Sequence, residues 1–225
     1  MKILGLDTST KFLCLGIYDN AKVYTYNLDL GRKHSVLLVP TIKRILDALG
    51  WRLNDIDYFA CGLGPGSFTG MRVGVATIKG LAWALKKKIV GLPTLDVLAR
   101  NAELNAGFVA PVIDAKRNLM YTCIYKIEKG RLRKLTPYLL LSLDDFLKKV
   151  KKDTLILGDA LGLYRDKFLG SRKRLTLLDK DRWQIQPHHL LDLALEKIKA
   201  GQFSDSSKLE PIYLYPKECQ IRKTK

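Results

Sequence analysis

Histidine and long apolar runs are scarce in this chain, and each shortage removes a class of function. The longest stretch free of charge is Tyr58 to Met71, 14 residues interrupted by four glycines and a proline. A membrane-spanning helix needs about 20 apolar residues and has no place here. Met1-Lys2 runs directly into Ile3-Leu4-Gly5-Leu6 with no extended apolar segment and no small-residue cleavage site, so a cytoplasmic protein is expected. The only histidines, His34, His188 and His189, form neither His-Glu-x-x-His nor His-x-x-x-His, which argues against a zinc peptidase. Solvated or capping roles are expected for all three. No serine stands in a Gly-x-Ser-x-Gly elbow. Cys14, Cys61, Cys123 and Cys219 are too widely spaced for a zinc site or a disulfide framework, and they read as reduced core thiols.

What is present is material for a core and a surplus of positive charge. With 225 residues, 47% of them hydrophobic, the chain suits one domain of moderate size or two small ones and is not a disordered polymer. Lys and Arg number 39 against 22 Asp and Glu, a formal net charge of +17. The excess is uneven: residues 1–104 hold 14 bases and 8 acids, or +6, and residues 105–225 hold 25 and 14, or +11. Such a balance favours a polyanion, with tRNA or another nucleic acid first. The plainer alternative is solvated lysine, with Lys86-Lys87-Lys88 and Lys148-Lys149-Val150-Lys151-Lys152 answering helix dipoles. The aromatics, 9% of the chain, do not interleave with the basic runs as in base-stacking surfaces.

Periodicity and punctuation predict strands Lys2–Asp7, Phe12–Tyr18 and Lys22–Leu28, then a helix carrying Leu37, Leu38, Ile42, Ile45, Leu46 and Leu49 to a cap at Gly50. Pro40 falls inside that helix and is expected to kink it. A strand at Asp57–Gly62, a helix from about Gly70 to Leu85, a strand Lys88–Leu92 and a helix opened by Thr94 or Asp96 follow. The second half echoes this order, with strands Phe108–Asp114, Leu119–Ile127 and Arg131–Leu141, a helix from Ser142 to Lys151, strand Thr154–Gly158, helix Ala160–Leu169, strand Arg174–Leu178 and helix Pro187–Ala200. Two copies of βββαβα predict an α/β protein of the actin-like, or sugar kinase/Hsp70-like, class: two domains, 1–104 and 105–225, facing a cleft. The last 15 or so residues are expected to pack back on the first domain.

In such a fold the aspartates closing the first strand of each half, Asp7 and Asp114, would face the cleft and could hold a magnesium ion or orient a water beside phosphates. Thr10, Ser67, Thr69 and Arg117 complete a candidate anion or nucleotide site. The hairpins after the aspartates, Asp7-Thr8-Ser9-Thr10-Lys11 and Asp114-Ala115-Lys116-Arg117-Asn118, lack the glycine that lets backbone N–H groups close on phosphate, so a vestigial site is the competing reading. The segment Gly62-Leu63-Gly64-Pro65-Gly66-Ser67-Phe68-Thr69-Gly70-Met71-Arg72 matches neither a Walker loop nor a dinucleotide fingerprint. Two roles stay open for it: anion binding at a helix start, or close packing of strand and helix. In the helix behind it Ala76, Gly80 and Ala84 recur every four residues and only Arg72 and Lys79 are charged before Lys86. A helix apolar nearly all round predicts a subunit interface.

Several of these strings together resemble the TsaB (YeaZ) family: Ile3-Leu4-Gly5-Leu6-Asp7-Thr8-Ser9-Thr10, His34-Ser35-x-x-Leu38-x-Pro40, Gly64-Pro65-Gly66-Ser67-Phe68-Thr69-Gly70-Met71-Arg72-Val73-Gly74, Pro93-Thr94-Leu95 and Ile113-Asp114-Ala115-Lys116-Arg117. The likeness is dense in the first half and thins after Tyr125, with Pro211-Ile212-Tyr213-Leu214 similar to the family's closing segment. The second strand, Phe12-Leu13-Cys14-Leu15-Gly16-Ile17, is a loose version of the family's, and the basic second half exceeds what the motifs explain.

The resemblance implies an actin-like pseudo-enzyme serving N6-threonylcarbamoyladenosine formation beside the tRNA anticodon. It implies pairing with the catalytic paralogue TsaD, docking of the ATPase TsaE on the pair, and a homodimer when alone. ATP or ADP and metal would belong to the partner subunits, tRNA would be met through the complex, and no residue here would be catalytic. Mapped onto this sequence, the partner face comprises Leu38, Ile42 and Ile45 on one helix and Arg72, Val73, Ala76, Thr77, Gly80 and Ala84 on the other. The rival classes are an independent actin-like ATP-binding enzyme or metallopeptidase-like hydrolase, and an RNA-binding module.

Overall fold

The computed structural model of the chain describes residues 1–20, 22–31, 33–102 and 107–216. Its first elements are β1 (Lys2–Asp7), β2 (Phe12–Asp19), β3 (Lys22–Asp29), α1 (His34–Ala48), β4 (Tyr58–Gly62), α2 (Phe68–Leu85), β5 (Lys88–Leu92) and α3 (Thr94–Ala99). The sheet order is β3-β2-β1-β4-β5, antiparallel across the meander and parallel across β1, β4 and β5. β1 is central and buried on both faces, so its sequence is a nearly unbroken apolar run rather than an alternation. Leu4, Leu6, Leu13, Leu15 and Phe59 point to one face, where Leu38, Ile42, Ile45 and Leu46 of α1 and Val75, Ile78 and Ala82 of α2 cover them. Each fully buried aliphatic side chain there contributes roughly 1.5–3 kcal/mol. α1 runs unbroken through Pro40, which lies on its exposed side.

The second series is β6 (Phe108–Lys116), β7 (Leu119–Thr122), β8 (Tyr125–Glu128), β9 (Arg131–Lys134), β10 (Leu139–Ser142), α4 (Leu143–Lys149), β11 (Thr154–Leu157), α5 (Leu161–Leu169), β12 (Thr176–Leu177) and α6 (Pro187–Lys199). β7 and β8 replace the single strand expected at Leu119–Ile127. From Phe108 to Asp114 they pair with β6 in one register, which shifts at a bulge between Asp114 and Lys116, and the break at Cys123 falls opposite Pro111, which has no N–H to give the ladder. β9 pairs with β8 and β10 with β7, so the sheet repeats the order of the first: β9 and β10, then β8 and β7, then β6, β11 and β12. The α/β class with two actin-like βββαβα repeats thus stands. Ser142 caps α4, its Oγ accepting from the Asp145 N–H at 3.2 Å.

The chain divides into two compact units, the first comprising Met1–Asn101 with Gln184–Pro211 and the second Ala102–Trp183 with the residues from Ile212 on. The boundary expected between residues 104 and 105 lies outside the described residues. α6 was expected to complete the second repeat and instead belongs to the first unit. Its Leu190, Leu191, Ala194 and Ile198 pack on Ile3, Cys14, Ala60, Val90 and Leu92, the sheet face opposite α1 and α2. The approach is close because the paired Gly5 and Gly16 present no side chain: a Cβ would stand 2.4 Å from Leu190 at Gly5 and 2.7 Å from Leu191 at Gly16. Arg100 at the end of α3 holds Glu196 of α6 with bonds of 3.0 and 2.6 Å. The closing segment also departs from expectation, since Tyr215 belongs to the second unit and its Oη donates to the Ala115 carbonyl at 2.9 Å. Residues 217–225, Cys219 among them, lie outside the described residues.

Candidate functional site

The last residue of β1 ends inside the first unit, not at an open surface. Asp7, Thr8 and Ser9 are buried, and Thr94 at the start of α3 is completely so. The Ser9 N–H donates to Asp7 Oδ1 at 2.7 Å and Thr94 Oγ1 donates to Oδ2 at 2.6 Å. Burial pushes the Asp7 carboxyl above its ordinary range, and the bonds from Ser9 and Thr94 offset this in part. Neither oxygen is directed at open space, so the expected role of Asp7 beside a metal or phosphate is corrected: this carboxyl is enclosed by its own unit.

The glycine-rich loop is what closes over it. Ser67 N–H donates to the Ser9 carbonyl at 2.6 Å, Gly64 N–H donates to Thr94 Oγ1 at 2.9 Å, and Thr8 Oγ1 donates to the Gly70 carbonyl at 2.7 Å. A Cβ at Gly62 would lie 2.0 Å from Asp7 Oδ2, at Gly66 2.3 Å from the Ser9 carbonyl, at Gly70 2.1 Å from the Thr8 carbonyl and at Gly74 2.2 Å from Thr8 Oγ1. Of the two roles open for this segment, close packing accounts for these four glycines. Ser67 caps α2, its Oγ accepting from the Gly70 N–H at 3.2 Å. Thr10 Oγ1 is bonded to the Phe12 N–H at 3.2 Å, and Thr69 is exposed on the first turn of α2.

Asp114 and Arg117 belong to the second unit. Asp114 accepts from its neighbour Lys116 through both the backbone N–H, at 2.8 Å, and the ammonium, and the ion pair raises the Lys116 ammonium above its usual range. The Asp114 N–H donates to Asp159 Oδ1 at 2.8 Å. Arg117 is exposed, its guanidinium 5.9 Å from the Tyr215 ring.

The residues expected on a partner face separate into two groups. Leu38, Ile42 and Ile45 are 1%, 2% and 6% exposed; their spacing marks the side of α1 that faces its own sheet, so that part of the assignment is corrected. The outward side of α1 presents Ser35, Val36, Val39 and Lys43 instead, with Val36 69% and Val39 57% exposed. On α2 the expected stripe is present. Arg72, Ala76, Gly80 and Ala84 are exposed, Val73 and Thr77 are half-buried beside them, and nothing lies within 4 Å of a Cβ at Gly80. Trp83, 81% exposed, stands at the same end of the stripe. Phe68 opens the helix with the Arg72 guanidinium 3.8 Å from its ring centre. Val36, Val39 and Trp83 are exposed apolar side chains that the sequence-based mapping of the partner face leaves out. The signal was available: Trp83 follows Gly80 by three, and Val36 and Val39 occupy helical positions that the core pattern of α1 leaves over.

Cys14, Cys61 and Cys123 are buried and form no disulfide among the described residues. Burial raises the Cys14 and Cys61 thiols, keeping them protonated and unreactive. His34 is buried at the start of α1 with no partner for Nε2 among the described residues, unlike the solvated or capping histidine expected.

Comparison with known proteins bears on the same residues. The family model for TsaD, described as tRNA N6-adenosine threonylcarbamoyltransferase, matches residues 29–168. The tRNA threonylcarbamoyladenosine biosynthesis protein TsaB of Bacillus subtilis is 31% identical over 169 residues, 73% of this chain and 74% of that protein. TsaB of Escherichia coli is 26% identical over 223 residues, 95% of this chain and 94% of that one. The solved structure of YeaZ from Pseudomonas aeruginosa superposes with a TM-score of 0.80 at 27% identity, covering 94% of this chain and 100% of that one.

Proposed function

The chain belongs to the TsaB (YeaZ) family of tRNA threonylcarbamoyladenosine biosynthesis proteins, and from that premise we propose that it acts as a non-catalytic partner subunit. It takes part in threonylcarbamoyladenosine formation in tRNA by pairing with and activating TsaD, which supplies the transfer chemistry together with the ATPase TsaE. Nucleotide and metal are carried by those subunits, the setting is the cytoplasm, and in the absence of TsaD the same face joins two copies of this chain.

The observation that supports this reading is the exposed surface of the two helices: Val36 and Val39 on α1, and Trp83 with a stripe of small residues on α2. Small residues let a partner helix approach closely, and large exposed apolar side chains beside them provide the anchors that interface cores use. The enclosure of Asp7 by Ser9, Thr94 and the glycine loop agrees with a first unit whose former phosphate hairpin serves packing.

Gly80→Leu tests the reading. Among the described residues nothing lies within 4 Å of a Cβ at this position, so the fold should hold while a partner helix is pushed away. Pairing with TsaD, read by sedimentation velocity, is expected to weaken at least tenfold, and threonylcarbamoyl incorporation into unmodified tRNA to fall with it. Unchanged affinity would remove α2 from the interface. Incorporation that never depends on this chain, together with ATP hydrolysis by the chain alone, would favour an independent enzyme instead.

A further inference from the structure

We propose that the second unit holds the phosphate backbone of RNA on the face formed by the C-terminal end of α4 and the segment 170–174; the inference deepens the proposed function by giving this chain its own contact with tRNA. Residues 107–183 carry 18 Lys and Arg against 9 Asp and Glu, a surplus of nine, whereas residues 1–101 and 184–211 together carry 17 against 11, a surplus of six over a longer stretch. Two basic runs that are some twenty residues apart in sequence meet in the fold. Lys173 Nζ donates to the carbonyls of Lys148 and Val150 at 3.3 and 2.7 Å, and the Asp153 N–H donates to the Lys173 carbonyl at 3.1 Å. Between the runs lies an open cavity of about 610 Å³ lined by Asp144, Leu147, Lys148, Ser171, Arg172 and Lys173.

Three features fit this surface to phosphate. The C-terminal end of a helix ordinarily repels anions, but here Lys173 is bonded to the carbonyls at the end of α4 and offsets that field. Of the acids nearby, Asp145 is held by Ser142 and Lys148 and Asp153 by Arg174, while Asp144, exposed in the lining, is the one carboxylate set against Lys148, Arg172 and Lys173 there. Lys151, Lys152 and Arg172, exposed and outside any helix, have no acid partner among the described residues, so a dipole role does not account for them. Ser171 lines the cavity, and its Oγ is buried with no hydrogen-bond partner among the described residues. Leu147, half-buried, is the single apolar side chain of the lining. Cations with a hydroxyl and no exposed apolar anchor make a backbone-reading surface rather than a protein hot spot.

The test uses the full chain, a labelled unmodified tRNA transcript and fluorescence anisotropy over a series of salt concentrations. Lys152→Glu with Arg172→Glu is compared with Lys129→Glu and Arg131→Glu, an equal charge change on the hairpin of β8 and β9. The first pair should lower affinity at least tenfold and reduce the slope of log affinity against log salt by about two, while the second changes neither by more than about twofold. Equal losses in both variants would mean a diffuse field and overturn the proposal, as would wild-type chain without salt-dependent binding. Loss of TsaD pairing with tRNA affinity intact would make the face a protein interface and also overturn it. If the Lys152 and Arg172 variant loses RNA while wild-type chain fails to pair with TsaD, the RNA face stands and the partner-subunit reading falls.

Discussion

Thr94 Oγ1 donates to Asp7 Oδ2 at 2.6 Å, and neither side chain is exposed to solvent. The bond joins the end of β1 to the start of α3 across 87 residues of sequence. The same hydroxyl accepts from the Gly64 N–H at 2.9 Å and lies 3.2 Å from Ser9 Oγ. One threonine therefore fastens the first strand, the hairpin after it and the glycine loop together.

Thr94→Val keeps the shape and removes the hydroxyl. Asp7 and the Gly64 N–H then each lose a buried partner, at a cost of about 1–3 kcal/mol per orphaned group. The urea midpoint is expected to fall without a change in slope. Thr94→Ser, which can restore the bonds, should recover most of the loss; equal midpoints for the valine variant and wild type would show that the cluster carries no stability.

The Asp7 carboxyl is raised from 3.8 by burial. The folded state therefore holds this proton more tightly than the unfolded chain, so the stabilisation is full below the unfolded value and is lost as pH rises through the folded one. Asp7→Asn removes that loss. As pH rises above about 4 the melting temperature of Asp7→Asn should move upward relative to wild type. Parallel profiles would mean that Asp7 titrates as it does in the unfolded chain.

The glycines of the loop and the stripe should respond in opposite senses. Gly70→Ala places a methyl 2.1 Å from the Thr8 carbonyl, whereas Gly80→Ala meets nothing. The first is expected to destabilise by about 1–3 kcal/mol through overpacking. The second should stabilise by about 0.5–1 kcal/mol through helix propensity. Denaturant midpoints of the two variants give the comparison.

Trp83→Ala should leave stability nearly unchanged, because the ring is 81% exposed. Association is expected to weaken by at least tenfold if the indole anchors a partner, the usual weight of an aromatic hot spot being about 2 kcal/mol or more. Sedimentation velocity of the chain alone and with TsaD reads both pairings.

Much of the fold was legible because local periods report which face of an element is buried. β1 and β5 begin and end where the pattern places them, and Ser67, Gly50 and Ser142 mark helix ends as their chemistry requires. The repeat of βββαβα followed from the same signals. Pro111 was equally visible, but its effect on the strand opposite depends on register, which a single strand does not contain. The candidate site was less legible. An aspartate at a strand end has the same appearance whether it faces solvent or a threonine 87 residues away, and the glycine loop was compatible with phosphate or with packing until its neighbours were known.

By itself the sequence determined the composition of the two repeats, their strand and helix order, the small-residue stripe of α2 and the excess of charge in the second half, since each rests on local spacing or on counting. Tertiary structure alone decided that α6 covers the first sheet, that Leu38, Ile42 and Ile45 serve the core while Val36 and Val39 remain outside, that Asp7 is enclosed, and that Lys173 meets the end of α4 at Lys148 and Val150. An amphipathic pattern specifies that a helix has an apolar side, but the surface that side meets is fixed only when distant segments are brought together.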